Sequence, residues 1–221
     1  MRYIQKGNEP ESLTQYRKNQ NAYFDGYSKK DDVREKLLKE QGYICGYCMR
    51  RIKNCSETKI EHIVPQSCLK ENEREALNYK IMLGVCYGNE KKGRNKKSLT
   101  CDAHRENQDL VVNPFDMNCI DKIAYRTDGT IYSEDDAIND NLENVLNLNY
   151  DGADAYLKKN RREVLSACKE KLKKMQRTGN WNKTLIGKVL KKYEEPDSTG
   201  KLEPYSGIAL WYLKKRMESG T

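Results

Sequence analysis

The chain has 221 residues and a net charge of +8, with 37% hydrophobic and 33% charged residues. So polar a composition predicts a small core under a large solvated surface. No stretch approaches the ~20 apolar residues of a membrane-spanning helix. The opening MRYIQKGNEPESLTQ lacks the apolar run of a secretory leader. A cytoplasmic, membrane-free location is expected, where the eight cysteines read as metal ligands or buried thiols rather than disulfides. The positive excess favours a polyanionic partner, because each Lys or Arg near a phosphate releases counterions.

In chain order, DDVREKLLKEQG predicts a helix with Val33, Leu37 and Leu38 on one face, ending at Gly42. Residues 1–42 are thus expected to form a helical arm. Residues 43–117 hold most of the cysteines, both histidines and a basic loop. Residues 118–221 open with KIAYRTDGTIYS, alternating residues around an Asp128-Gly129 turn, which predicts a β-hairpin. An acidic stretch from Glu134 to Asp154 carries no Lys or Arg. A long basic helix is expected from about Ala155 to Arg177, with Leu157, Val164, Leu165, Cys168, Leu172 and Met175 as its apolar stripe. Lys158, Lys159, Arg161, Arg162 and further lysines fill its other faces, either as a solvated surface or as a contact to nucleic acid or a partner. A loop is expected from Glu194 to Gly207, and a last helix from Gly207 to Met217.

Cys45-Gly-Tyr-Cys48 has the spacing that lets one turn of backbone offer two thiolates to a single zinc ion. A structural site needs two more ligands. Cys86 and Cys101 are the first candidates, although residues 87–100 separate them; Cys55 and Cys68 are substitutes. Cys119 and Cys168 read as small buried hydrophobes. A chain this polar gains folding free energy from a metal ion where burial is scarce. The other informative run is Lys59-Ile-Glu-His-Ile-Val-Pro-Gln-Ser67. Neighbouring side chains on a strand point to opposite faces. Glu61 and His62 can therefore share a site only where the strand bends or ends, as Pro65 suggests.

Cys45-x2-Cys48, Glu61-His62-Ile-Val-Pro65, Asn78 and Cys101-Asp102 together resemble the HNH, or ββα-metal, nucleases. EHIVPQS is similar to the DHIVPQS run of Cas9-type HNH domains. The wider set MRYIQKG, EQGYICGYCMRRI, IEHIVPQS, NYKIMLGVCYGN and TCDAHRENQ resembles the PtuB-like HNH proteins of Septu and retron-associated anti-phage systems, over roughly residues 1–120. The resemblance implies an α+β fold: a small zinc-stapled, treble-clef-like ββα-metal core over residues 43–117, flanked by helices, with residues 118–221 docking a partner.

It also implies roles. His62 is the expected general base. Glu61 holds a catalytic divalent cation, Mg2+ or Mn2+, and Asp102 is the first choice for its second ligand, with His104 and Asn89 as alternatives. Asn78 positions the loop that carries His62, through backbone hydrogen bonds across the hairpin. Lys91, Lys92, Arg94, Lys96, Lys97 and Arg105 are expected to grip the nucleic-acid backbone. DNA is the favoured substrate, with RNA such as tRNA as the alternative. The implied partner is an ABC-type ATPase, in some systems together with a retron reverse transcriptase and its RNA and DNA. A non-catalytic zinc adaptor is the competing expectation.

Overall fold

The computed structural model describes residues 1–69, 73–90, 95–153, 155–175 and 183–218. The fold mixes short helices with two small antiparallel sheets. The arm forms α1 (Glu11–Tyr16) and α2 (Lys30–Glu40), which buries Val33, Leu37 and Leu38 as their spacing requires. β1 (Lys59–His62) pairs antiparallel with β2 (Met82–Val85), placing Glu61 opposite Leu83 and His62 opposite Met82. Between them lie α3 (Gln66–Leu69) and two single turns, Glu75–Leu77 and Tyr79–Ile81. α4 (Cys101–Arg105) follows, then α5 (Met117–Asp121).

The expected hairpin forms as β3 (Ile123–Tyr125) and β4 (Ile131–Ser133). Its turn closes through Gly129 N to Arg126 O at 3.0 Å, and Gly129 takes the positive φ of 91° that a glycine adopts freely. The acidic stretch is folded: α6 (Asp136–Asp140) runs into a π-turn, Asn141–Val145, and buries Ile138, Leu142 and Val145. Three helices close the chain, α7 (Leu157–Met175), α8 (Lys183–Glu194) and α9 (Gly207–Glu218). Among the described residues, no helix is long and apolar enough to cross a membrane.

One core runs through all three regions of the sequence. It joins Ile4 and Leu38 of the arm, the four cysteines 45, 48, 86 and 101, Ile123 of the hairpin and Leu165 of α7. A second core seats the arm on the sheet, with Tyr27 and Leu37 against Leu77, Tyr79 and Met82. A third holds α7, α8 and α9 together through Cys168, Leu172, Ile186, Val189 and Leu213.

Three expectations change. Arg161 is not on a polar face of α7: it is buried, donating to the carbonyls of Gly129 and Leu148 at 2.6 and 2.8 Å. Met175, placed on the apolar stripe by periodicity, is exposed at the helix end, and Arg177 lies outside the described residues. α8, absent from the sequence reading, buries Ile186, Val189 and Tyr193.

Candidate metal centre and adjoining carboxylate cleft

The Cys45–Cys48 segment turns back on itself. Cys45 N bonds to Arg50 O at 2.9 Å, Met49 N to Cys45 O at 2.9 Å, and Met49 adopts a φ of 63°. The backbone N–H of Arg50 lies 3.5 Å from Cys48 Sγ, an arrangement that stabilises negative charge on sulfur. Cys86 directly follows β2, and Cys101 opens α4. Fourteen residues separate them in sequence, and the two cysteine-bearing segments are joined where Thr100 N bonds to Gly88 O at 2.9 Å. Gly88 has a φ of 54°, and a Cβ there would lie 1.9 Å from Thr100 O, so only glycine lets the two cysteine-bearing segments approach.

The outcome is a buried cluster of Cys45, Cys48, Cys86 and Cys101, whose Sγ atoms all lie within 4.8 Å of one another. The individual separations are 3.9 Å for Cys45–Cys101, 3.8 Å for Cys48–Cys86 and 3.9 Å for Cys86–Cys101. Tetrahedral zinc with ~2.3 Å bonds to sulfur spaces its ligands by about 3.8 Å, so the donor set fits such an ion. Cys101 is pushed well above the usual thiol range, first by hydrogen bonds to the other three cysteines. A bound cation removes that penalty. The cluster can hold a structural metal such as zinc. Cys55 and Cys68, the substitutes, stand outside it as free thiols, half-buried and exposed.

Beside the cluster, the first turn of α4 faces β1 across a cleft of about 230 Å³, lined by Lys59, Glu61, His62, Asp102 and Arg105 among others. Strand alternation sends Glu61 and His62 to opposite sides, as expected, and the strand ends at His62. Glu61 is buried, accepting from Tyr47 Oη at 3.1 Å and from the Arg105 guanidinium. Asp102 lies within hydrogen-bonding reach of it. Burial first, and then the Asp102 charge, push Glu61 up to about 8, against the opposing pull of Arg105. Lys59 Nζ holds Asp102 at 2.8 Å and Glu90 at 3.0 Å.

His62 is 3% exposed. Its Nε2 lies 2.8 Å from the carbonyl oxygen of Ala76, and Phe24 meets the ring edge-on at 4.7 Å. Burial lowers its pKa below the usual imidazole value. The neutral ring then donates Nε2–H to the carbonyl, which can only accept, and the lone pair sits on Nδ1.

Other predicted residues stand differently. Arg105, expected to touch nucleic acid, is 1% exposed. Besides Glu61 it donates to His62 O at 2.7 Å, Ile63 O at 3.0 Å and Gln108 O at 2.8 Å, so it clamps the end of β1. Asn89 is no ligand: its amide bridges Arg50 and Ser98 O, and it lines no part of the cleft. His104 turns the other way, with Nδ1 3.0 Å from Val145 O. Asn78 bonds within its own turn, to Lys80 N at 3.0 Å and Glu75 at 2.6 Å, not across the hairpin; the turn it fixes carries Ala76. Lys91, Lys92 and Arg94 lie outside the described residues. Lys96 is paired with Glu106 at 2.9 Å, and Lys97 is exposed. Sequence reasoning missed Tyr47 and Lys59, which are identifiable only once β1 and the cysteine knuckle are seen side by side. No family model matches the chain, and no curated protein matches it either.

Proposed function

We propose that the chain is a metal-dependent nuclease of the HNH, or ββα-metal, type, which hydrolyses phosphodiester bonds of nucleic acid. The observation that carries this reading is the meeting of Glu61 and Asp102 in one cleft beside a four-cysteine cluster, with His62 the next residue along the strand at the same cleft. In this reading β1, β2 and α4 are the ββα unit, and the cluster holds structural zinc.

Two carboxylates that crowd each other, one of them pushed upward in consequence, form an oxygen donor set suited to Mg2+ or Mn2+. Bound by Glu61 and Asp102, such an ion would offset charge on the scissile phosphate and on the departing 3′ oxygen. The remaining work belongs to side chains. His62 takes a proton from water at Nδ1 as the water oxygen bonds to phosphorus; the bond to the 3′ oxygen breaks, and that oxygen gains a proton from solvent. The Ala76 carbonyl holds the imidazole in the required tautomer. Asn78 steadies the turn bearing Ala76, Tyr47 and Arg105 orient Glu61, and Lys59 orients Asp102.

The resemblance further supports an effector role in an anti-phage complex with an ABC-type ATPase, with DNA as the favoured substrate. A second reading is a zinc module that binds and adapts without cutting. It is favoured by the nearly complete cover over His62, to which Phe24 contributes. The test is cleavage of plasmid DNA and total RNA with Mg2+ by wild type and His62→Ala, alone and with the ATPase, with zinc content measured in each. Cutting by wild type and not by the zinc-replete variant supports the nuclease. No cutting under any condition by zinc-replete protein favours the adaptor.

A further inference from the structure

A cleft that processes a polyanion needs cations to hold it, and among the described residues the cations that line this cleft are already engaged. Arg105 is buried in its clamp and Lys59 is paired with Asp102 and Glu90, while Lys96, outside the lining, is paired with Glu106. The charge lies elsewhere. α7, α8 and α9 together carry fifteen Lys or Arg against four Asp or Glu, a net +11. The whole chain is +8, so everything outside these helices is net −3.

Of the fifteen, Arg161 alone is buried. Arg162, Lys169, Lys171, Lys173, Lys188 and Lys192 have no carboxylate partner among the described residues. Lys171 and Lys192 meet across the seam of α7 and α8. Partial burial, and then the Lys192 charge, lower the Lys171 pKa. Two ammonium groups brought together repel unless an anion lies between them. Lys188 stands one turn before Lys192 on the same face of α8. Aromatic rings back the charges: Tyr212 lies under Lys169 at 5.3 Å and Arg216 at 5.4 Å, and Tyr193 lies under Lys192 at 6.0 Å. From Lys158 to Lys174, α7 extends over about 24 Å, the length of roughly seven base-pair steps.

We infer that the α7–α8–α9 face is a nucleic-acid-binding surface that grips several phosphates of a duplex backbone. It rests on the nuclease reading only for the identity of the polymer. The favoured partner is a phosphodiester chain rather than an acidic protein because the cations are almost all lysines strung along one long helix and its neighbour. Lysine suits a row of point-like phosphates, and a regular polyanion matches so long an array.

The experiment is fluorescence anisotropy with a labelled 20-base-pair DNA duplex, at several salt concentrations and with no added divalent cation. The chains compared are full-length zinc-loaded wild type, the triple variant Lys171→Glu/Lys188→Glu/Lys192→Glu, its Gln counterpart, and Lys96→Glu/Lys97→Glu. Polyglutamate and anionic phosphatidylserine vesicles serve as competitors. With about six phosphates engaged, log K against log salt should slope near −5 for wild type. Both triple variants should lose at least tenfold in affinity at low salt, with the slope falling by two to three, while the Lys96/Lys97 variant changes little. Unchanged binding in the triple variants would overturn the proposal, as would polyglutamate or vesicles displacing the duplex at lower charge equivalents than unlabelled duplex. Because no metal-dependent step is measured, binding through this face in a chain that never cuts would remove the nuclease reading and leave this one standing. Cutting with binding indifferent to these lysines would do the reverse.

Discussion

Arg105 discriminates most sharply between what its position in the sequence suggests and what it does in the fold. If it faced a phosphate, Arg105→Lys would be nearly silent in stability and would weaken nucleic-acid binding. The structure gives it four acceptors, Glu61 and the carbonyls of His62, Ile63 and Gln108. A lysine reaches such a set with one nitrogen rather than a fork and retains one good bond. Three lost bonds at about 1 kcal/mol each predict a destabilisation of about 2–4 kcal/mol. Arg105→Met goes further: at pH 9, above the value of about 8 to which Glu61 is pushed, it leaves the ionised Glu61 buried without its counter-charge, at a cost of about 3–5 kcal/mol. That is a large part of the roughly 5–15 kcal/mol of a typical domain. Urea unfolding of zinc-loaded protein, followed by far-UV circular dichroism, measures both. Adding Glu61→Gln to Arg105→Met should recover 1 kcal/mol or more of coupling, read from the double-mutant cycle. An Arg105→Lys protein within about 0.5 kcal/mol of wild type would refute the clamp.

Other substitutions test the remaining parts. Cys86→Ser or Cys101→Ser should reduce bound zinc from one equivalent to near none and abolish cooperative unfolding, whereas Cys55→Ser and Cys68→Ser should leave both intact; elemental analysis and thermal melts decide it. Asn78→Ala should cost about 0.5–2 kcal/mol as a lost cap and lower kcat more than KM; Asn78→Asp should recover part of the stability through its acceptor for Lys80 N but not kcat, because it loses the donor to Glu75 and sets two carboxylates against each other. Lys6 is half-buried as a residue with its side chain only 7% exposed, paired with Glu40 at 3.3 Å and seated over the Tyr79 ring at 3.5 Å; desolvation pulls its pKa down to about 8. Lys6→Met should cost about 3 kcal/mol at pH 7 by stranding Glu40. Between pH 8 and 10 the folded chain has released the Lys6 proton and the unfolded chain retains it, so this group makes wild-type stability rise with pH. The variant should lack that rise, which melts at pH 7, 9 and 10 would reveal.

Local features of the site were legible, and those that depend on distant carbonyls were not. Cys45 and Cys48 are fixed by spacing alone. Cys86 and Cys101 could be chosen only by their order, because fourteen residues separate them and the Gly88–Thr100 contact that joins their segments is concealed by that separation. Asp102 was placed by pattern, and the fold brings it to Glu61. Arg105 and Arg161 were both assigned to the surface on the strength of their charge. For Arg161 a signal existed: it sits four residues from both Leu157 and Leu165, in the middle of the stripe that also buries Cys168 and Leu172. For Arg105 there was none, since three of its four acceptors, Glu61 and the carbonyls of His62 and Ile63, lie at the end of a strand 42 to 44 residues away. The spacing of Ile186, Val189 and Tyr193 was likewise a helical stripe, hidden among lysines.

Two strands of four residues each make a hairpin too short to hold a buried carboxylate in place by themselves. The five residues of α4 supply what the hairpin lacks. Cys101 belongs to the thiol cluster, Asp102 faces Glu61, and Arg105, one turn on, grips Glu61 and the strand end. Staple, carboxylate and clamp therefore share one rigid helical turn, and a shift at Cys101 moves the other two. In the nuclease reading this couples the two metals: zinc loss would misplace Asp102 and Arg105 before it unfolded the arm, which is seated on a separate core. Zinc depletion should then lower cleavage in step with the zinc lost while most of the circular dichroism signal persists. A parallel decline of the two signals would mean that the cluster stabilises the whole chain without specifically holding the cleft.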